Sequence, residues 1–228
     1  MKAILAVAAA VVVLTIPAPA SAATCSAGYV ALTFDDGPTA LTRQYVDTLV
    51  AYGARGTFFD VGANVRDRPA DVQYAVQRGM AIGNHTQTHP HLLSWSLDGV
   101  YWEISDSSYY IQQASGYVPQ LFRPPYGESN GYIWDTAWDQ GMIETGWSID
   151  SRDWTGIGSA QIAHNALAGV AGNTIILLHD GYANTLAAIP SIVSGLNARN
   201  LCTGLPQQSW DDPVISEWDS PIWVTVVP

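Results

Sequence analysis

Five polar clusters stand out in this 228-residue chain because each follows a short apolar run, directly or within a few residues. They are Asp35-Asp36-Gly37-Pro38, His85-Thr86-Gln87-Thr88-His89, Arg123-Pro124-Pro125-Tyr126-Gly127, Asp150-Ser151-Arg152-Asp153-Trp154 and His179-Asp180-Gly181. His85 and His89 are four residues apart. One helical turn would put both rings on one side, but Pro90 disfavours helical geometry at His89, which points to a tight turn at a helix entrance. Two imidazoles and one carboxylate make a three-ligand site with an open position, the pattern of a catalytic zinc. Calcium or magnesium would want more oxygen ligands. Asp35 and Asp36 are adjacent at a strand end, where successive side chains point opposite ways. They are therefore expected to divide the work, one binding a metal and the other facing a reacting water. Arg123 can fork onto a nearby carboxylate and hold it ionised. Asp153 and His179 can pair, and a carboxylate partner raises a histidine pKa and fixes its orientation, which suits a general acid.

Each of these features also has a plainer explanation. Asp-Asp before Gly-Pro is commonly a turn, and His-x-x-x-His can be two surface histidines. Arg123 could make an ordinary ion pair, and Asp153–His179 a structural hydrogen bond. His91 and His164 fall outside the pattern and read as structural. The clusters gain weight from their shared position after strands. In parallel α/β architectures the C-terminal strand ends lie on one face, and that face holds the active site.

The elements that would position them alternate along the chain. Strands are expected at Tyr29–Phe34, Thr57–Val61, Ala81–Asn84, Leu121–Phe122, Met142–Trp147 and Thr174–Leu178, which are short and apolar as strands buried on both faces should be. Helices are expected at Leu41–Tyr52, Pro69–Arg78, Leu97–Ser115, Tyr132–Gln140, Ser159–Val170 and Leu186–Arg199. Thr39 can cap the first helix and Gly53 end it; Pro69 and Gly79 bound the second. This alternation implies an α/β fold with a parallel sheet. Six or seven units fit a distorted (β/α) barrel smaller than the usual eightfold one, with an open doubly wound sheet as the alternative.

Composition limits the partners. The chain is 48% hydrophobic and 13% charged, enough apolar content for one sizeable core. Residues 1–23 have a basic start at Lys2, an apolar run from Ala3 to Ile16 and an Ala20-Ser21-Ala22 end, the form of a cleaved export signal. The run of ~14 residues is short of the ~20 a membrane span needs. The expected product is a secreted, extracellular protein that does not enter a membrane. Lys2 is the only lysine, so without the leader eight arginines face 20 acids and the net charge moves from −11 to −12. Such a surface argues against nucleic acid or anionic lipid and suits a neutral sugar polymer. Cys25 and Cys202 can form one disulfide in an exported protein. It would close a long loop, worth about 5 kcal/mol in the chain-entropy model. The folded domain is expected to span residues 24–202. Residues 203–228, an acidic tail with Trp210, Trp218 and Trp223, are expected to pack on it.

Together, Thr33-Phe34-Asp35-Asp36-Gly37-Pro38, His85-Thr86-x-x-His89, Arg123-Pro124-Pro125-Tyr126-Gly127, Asp150-x-x-Asp153-Trp154 and Leu177-Leu178-His179-Asp180 resemble the five ordered motifs of the NodB-homology polysaccharide deacetylases, carbohydrate esterase family four. The resemblance covers about residues 29–200. Residues Asn184–Pro190 and Asn200-Leu201-Cys202 look like the bacterial acetylxylan esterase branch. The resemblance implies a (β/α) barrel of about seven strands with an open groove, and a metal-dependent hydrolase acting on an acetylated polysaccharide or oligosaccharide. It implies Asp36, His85 and His89 as ligands of a divalent metal, zinc or else cobalt. Asp35 matches the base, Arg123 the residue that orients it, and the Tyr126 backbone N–H an oxyanion contact. His179 matches the general acid with Asp153 as its partner, and Trp154 and Leu177 match the walls of an acetyl pocket. Acetylxylan, chitin or its oligomers, and peptidoglycan all present the acetyl group, and the motifs do not choose among them. A monomer is expected.

Two other readings stay in view. Gly127-Glu128-Ser129-Asn130-Gly131 fits G-x-S-x-G, and Ser129, Asp150 or Asp153, and His179 follow the order of a serine esterase triad. Pro124-Pro125 stand where the elbow's strand should be, and the reading leaves Asp35, Asp36, His85 and His89 unexplained. A non-catalytic carbohydrate-binding protein on the same scaffold would not need Asp35 and His179.

Overall fold

In the computed structural model, residues 24–208, 214–215, 221–222 and 224–228 are described. The expected leader, residues 1–23, and Trp210, Trp218 and Trp223 lie outside them. The strands are β1 (Tyr29–Gly37), β2 (Thr57–Asp60), β3 (Ala81–Asn84), β4 (Leu121–Phe122), β5 (Ile143–Glu144), β6 (Ile149–Asp150), β7 (Ile175–His179), β8 (Cys202–Gln208), β9 (Val214–Ile215), β10 (Pro221–Ile222) and β11 (Val224–Val227). The helices are α1 (Thr42–Ala51), α2 (Gly62–Asp67), α3 (Pro69–Gln77), α4 (Leu97–Ser115), α5 (Gly131–Asp139), α6 (Ser159–Leu167) and α7 (Ala183–Asn197).

Seven strands run parallel in the order β6-β7-β1-β2-β3-β4-β5 and curl into an open half-barrel. This is the distorted (β/α) barrel rather than the flat doubly wound sheet. Strand alternation sorts the side chains. On β1, Val30, Leu32 and Phe34 pack outward into the layer that holds Tyr45, Val46 and Leu49 of α1 and Ile189 and Ile192 of α7. Ala31 faces inward, with Phe59, Leu121, Ile143, Trp147, Ile175 and Leu177. Thr33 and Asp35 share the inward phase of Ala31, and His179 shares that of Leu177. The barrel interior is thus apolar below and polar at its C-terminal mouth. Gly83 makes this packing possible: a Cβ there would lie 2.5 Å from the Phe59 ring.

Several expectations shift. Asp150 ends a strand of its own, β6, rather than trailing the fifth. Helix α2 was not expected; it is one short turn-and-a-half with no side-chain cap. The first helix is entered at Leu41 without a side-chain cap. The Thr39 hydroxyl instead accepts the Leu41 N–H at 3.1 Å. The chain does not leave the domain at Cys202. Residues Cys202–Gly204 pair parallel with Tyr29–Ala31, and β11 pairs antiparallel with β8, so the described parts of 203–228 include strands of the same sheet. The Cys25–Cys202 disulfide forms, with the Cα atoms 5.1 Å apart, and ties the start of the first strand to this extension. No helix among the described residues is long and apolar enough to cross a membrane.

Candidate active site

The C-terminal ends of β1, β3, β4, β6 and β7 open onto one cavity of about 500 Å³, lined among others by Asp35, Asp36, His85, His89, Tyr126, Trp154, Leu177 and His179. Every site residue expected from sequence reaches this cavity or supports one that does.

Asp35 and Asp36 part company as expected, but the backbone does more than alternate. Asp35 continues the inward phase of β1 and is 3% exposed. By alternation Asp36 would enter the helical layer. Instead the β1–β2 register slips between Asp35 and Gly37, and Asp36 takes a left-handed backbone, φ 72°. That bulge turns its carboxylate toward the histidines. Thr86, His89 and Tyr126 also have φ between 59° and 68°, so costly non-glycine conformations gather around the cavity, as they do at functional sites. Asp180 anchors this turn: its N–H donates to the Asp35 carbonyl at 2.8 Å, and its carboxylate accepts the Thr39 hydroxyl at 3.0 Å.

Asp36 Oδ1 lies 3.5 Å from His85 Nε2 and 3.2 Å from His89 Nε2. One donor atom from each of the three residues falls within 4.8 Å of the others. His85 Nδ1 is 2.6 Å from the Arg123 carbonyl. A carbonyl only accepts, so Nδ1 carries the proton and Nε2 presents its lone pair to the cluster, the usual support for a ligating histidine. Burial is the main cause pushing the His89 pKa down, which favours the neutral ring with a lone pair to give. Burial pushes the Asp36 carboxyl up, but the surrounding imidazoles, His85 foremost, then His179 and His89, outweigh it and hold it at about 2. Asp36 Oδ1 is buried and, among the described residues, finds no hydrogen-bond donor. An ionised, unpartnered oxygen between two imidazole lone pairs fits a divalent cation with nitrogen and oxygen ligands.

On one side of this cluster stands Asp35, with Oδ2 3.8 Å from His85 Nε2 and Oδ1 2.7 Å from Arg123 Nη1. Arg123 is fully buried. Its Nη1 also donates to the Thr33 hydroxyl (2.8 Å), its Nε to the Thr145 carbonyl (2.9 Å) and its Nη2 to the Gly146 carbonyl (2.8 Å). These carbonyls lie in the link between β5 and β6, so the guanidinium braces the open seam of the barrel while gripping the acid. Its carbon sits 4.1 Å from the centre of the Phe59 ring and 5.6 Å from that of Trp147.

On the other side stands His179. Its Nδ1 is 2.8 Å from Asp153 Oδ1, so the carboxylate fixes the Nδ1–H tautomer. Asp153 is itself held by the His179 N–H (2.7 Å), the Thr185 hydroxyl (2.7 Å) and the Trp154 N–H (2.9 Å). Burial pulls the His179 pKa down, but the hydrogen bond to Asp153 and the charges of Asp35, Asp153 and Asp36 raise it to about 9. The ring keeps its proton at neutral pH.

Sequence reasoning passed over several residues that contribute. Trp147 and Tyr182 line the cavity; Tyr182 lies three residues beyond the β7 end, a position that could have flagged it. Glu103 accepts hydrogen bonds from the His85–His89 loop, and the clue was an acid on the apolar face of α4. The serine triad is not assembled. The Ser129 hydroxyl donates to Glu144 at 2.6 Å, and among the described residues the carboxylate on the His179 ring nitrogen is Asp153.

Comparison with known proteins agrees with this geometry. Residues 22–144 match the family model described as polysaccharide deacetylase. A bifunctional xylanase/xylan deacetylase of Cellvibrio japonicus is 40% identical over 185 residues, which are 79% of this chain and 27% of that protein. The chain therefore spans about a quarter of that relative's length. A chitooligosaccharide deacetylase of Sinorhizobium fredii is 33% identical over 192 residues, 77% of this chain and 89% of that one. Among solved structures, a family 4 carbohydrate esterase from Streptomyces lividans in complex with acetate superposes with a TM-score of 0.76 at 36% identity, covering 86% of this chain and 96% of its own. With the motifs, the curled seven-stranded sheet and these relatives in agreement, the chain belongs to the NodB-type polysaccharide deacetylases, carbohydrate esterase family 4.

Proposed function

We propose that this protein is a metal-dependent deacetylase that hydrolyses acetyl groups from an acetylated polysaccharide, with acetylxylan or chitin oligomers as the favoured substrates and peptidoglycan as the alternative. One observation carries the reading. A three-residue cation cluster lies in a single cavity between a buried carboxylate braced by arginine and a histidine that keeps its proton.

Asp36, His85 and His89 would hold the cation, zinc by preference and cobalt as the substitute. When bound, it supplies Lewis acidity toward water and the acetyl oxygen. The protein's own groups do the rest. Asp35, held in place by Arg123, takes the proton of the water that attacks the acetyl carbon. The Tyr126 N–H donates to the tetrahedral oxyanion. His179, oriented by Asp153, gives its proton to the leaving alkoxide or amine. Trp154 and Leu177 wall the acetyl methyl. Ester and amide pass through the same intermediate, so xylan and chitin call on the same groups. The preference for these two rests on the xylan deacetylase at 40% identity and on the Asn184–Pro190 segment, and the alternative on the peptidoglycan deacetylases among the relatives.

The N-terminal pattern of residues 1–23 and the Cys25–Cys202 disulfide support export to the cell exterior. The test is acetate release from acetylxylan, chitin oligomers and peptidoglycan, before and after chelation and with zinc or cobalt restored. Loss on chelation and recovery on addback is the expected result. Activity indifferent to strong chelator, or no acetate from any polymer with metal supplied, overturns the proposal.

A further inference from the structure

We propose that Glu103 is a positioning residue: by fixing the loop that carries His85 and His89, it sets the affinity of the Asp36, His85, His89 cluster for a divalent cation. The inference rests on the metal-site reading above.

The loop between β3 and α4 needs outside support, because Thr86 and His89 both hold positive φ values that non-glycine residues adopt only at a cost. Part of the support is local. The Thr86 N–H donates to Asn84 Oδ1 at 2.8 Å and the His89 N–H to Thr86 Oγ1 at 3.0 Å. The first amides of α2, Gly62 and Ala63, donate to the carbonyls of Thr86 and Gln87 at 2.9 and 3.0 Å. That leaves the N–H groups of Gln87 and Thr88, midway between the two histidines. Both go to one atom, Glu103 Oε2, at 3.0 and 2.8 Å. The Thr88 hydroxyl donates to the other oxygen at 2.7 Å. Glu103 is 6% exposed on the face of α4 that buries Val100, Ile104 and Ser107, where an amphipathic helix would carry an apolar residue. A carboxylate is costly there unless hydrogen-bonded, and this one collects three donors from the loop. The arrangement clamps the short span that sets the separation and aim of the two imidazoles.

The chemistry of the clamp makes it testable. Its three partners are donors, and two of them share one oxygen. A glutamine can keep the carbonyl on the Gln87 and Thr88 amides, while the Thr88 hydroxyl turns to accept from the new amide. Glu103→Gln should therefore rescue what Glu103→Ala destroys. The full chain would be stripped with chelator and titrated with zinc against a chromophoric competitor. The visible spectrum of the cobalt-loaded protein would report ligand geometry. E103A is expected to bind zinc about 10- to 100-fold more weakly, the range for groups that orient metal ligands, and to alter the cobalt bands. E103Q is expected to stay close to the parent in both. Should E103A fail to fold, Thr88→Val removes one of the three bonds and is expected to show a smaller loss in the same direction. The inference is overturned if folded E103A, or in its place T88V, matches the parent in zinc affinity and cobalt spectrum. It is also overturned if E103Q loses as much as E103A, since charge rather than hydrogen bonding would then be at work. A parent protein that binds neither metal overturns the site reading itself, which is a different result.

Discussion

Two corners of one cavity use the same two residue types to opposite ends. In the first, Asp36 meets His85 and His89; in the second, Asp153 meets His179. The first corner is built from bent backbone, with Asp36 and His89 both left-handed, and Asp36 Oδ1 lacks a donor among the described residues. Burial and a neighbouring imidazole push the His89 pKa down. The second corner is built from hydrogen bonds. Asp153 takes four donors, and the His179 pKa is driven up to about 9. A carboxylate–imidazole pair thus gives a lone pair or a proton according to what surrounds it. Neighbouring imidazoles and an unsatisfied oxygen favour a cation; a saturated carboxylate favours a protonated ring.

The comparison breaks first if the two adjacent acids prove interchangeable. Asp36→Ala should lose the bound metal and essentially all turnover. Asp35→Asn should keep the metal and lose turnover by about 100- to 10,000-fold, the range for a general base. Metal content by atomic absorption and acetate release on the same samples decide it. Equal metal loss in both variants would end the division of labour between them.

The acid corner makes the next largest claim. Since His179 is protonated below about 9 and loses its proton as pH rises, the acid form persists through neutral pH. Asp153→Asn removes the hydrogen-bonded charge and leaves burial opposed by the charges of Asp35 and Asp36 alone. Its alkaline limb should move to lower pH, with turnover at pH 8 reduced about 100-fold or more. The comparison is made on pH profiles of acetate release by parent and variant loaded with the same metal. Superimposable limbs would detach Asp153 from the proton that His179 gives.

Arg123 connects the site to the barrel, and its removal should be felt in stability. Arg123→Met leaves the Asp35 carboxylate buried without its cation and the Thr145 and Gly146 carbonyls without their donor. Breaking a buried pair from one side costs about 3–5 kcal/mol. Equilibrium denaturation of the metal-free protein reads this directly. A loss below about 1 kcal/mol, the value of an exposed pair, would show that the seam does not depend on the guanidinium.

The sequence made the strands and the site's membership legible for a physical reason. Strands buried on both faces read as apolar runs, and polar residues at their C-terminal ends are conspicuous because the runs forbid them elsewhere. Aim was harder to read. Alternation correctly separates Asp35 from Asp36, yet only the bulge and left-handed backbone at Asp36 bring its carboxylate to the histidines, and periodicity carries no trace of either. Strand β8 escaped notice because Gly204 and Pro206 break the apolar pattern, while pairing with β1 and β11 overrides propensity. Helix α2 was too short to show a period. Glu103 was visible as an acid at a core position of α4, but its partners, two backbone amides, have no sequence signature.

The smallest expected effect belongs to Ser129, the residue a serine mechanism would place first. Its hydroxyl donates to Glu144, whose pKa burial raises despite that hydrogen bond. Ser129→Ala removes one hydrogen bond to a partly buried acid, worth about 1 kcal/mol, and should leave turnover unchanged. The pH dependence follows from the sign of the shift. Burial already disfavours the Glu144 carboxylate, so its contribution to stability is best below the unfolded carboxyl's pKa and falls as pH rises from there to the folded one. Losing the serine donor raises the folded value further. The variant's penalty should therefore grow with pH through the weakly acidic range, measured as the difference in denaturation midpoint between parent and S129A. If turnover falls while stability holds, the two corners are not the only chemistry in the cavity; if stability falls alone, Ser129 is a brace for Glu144.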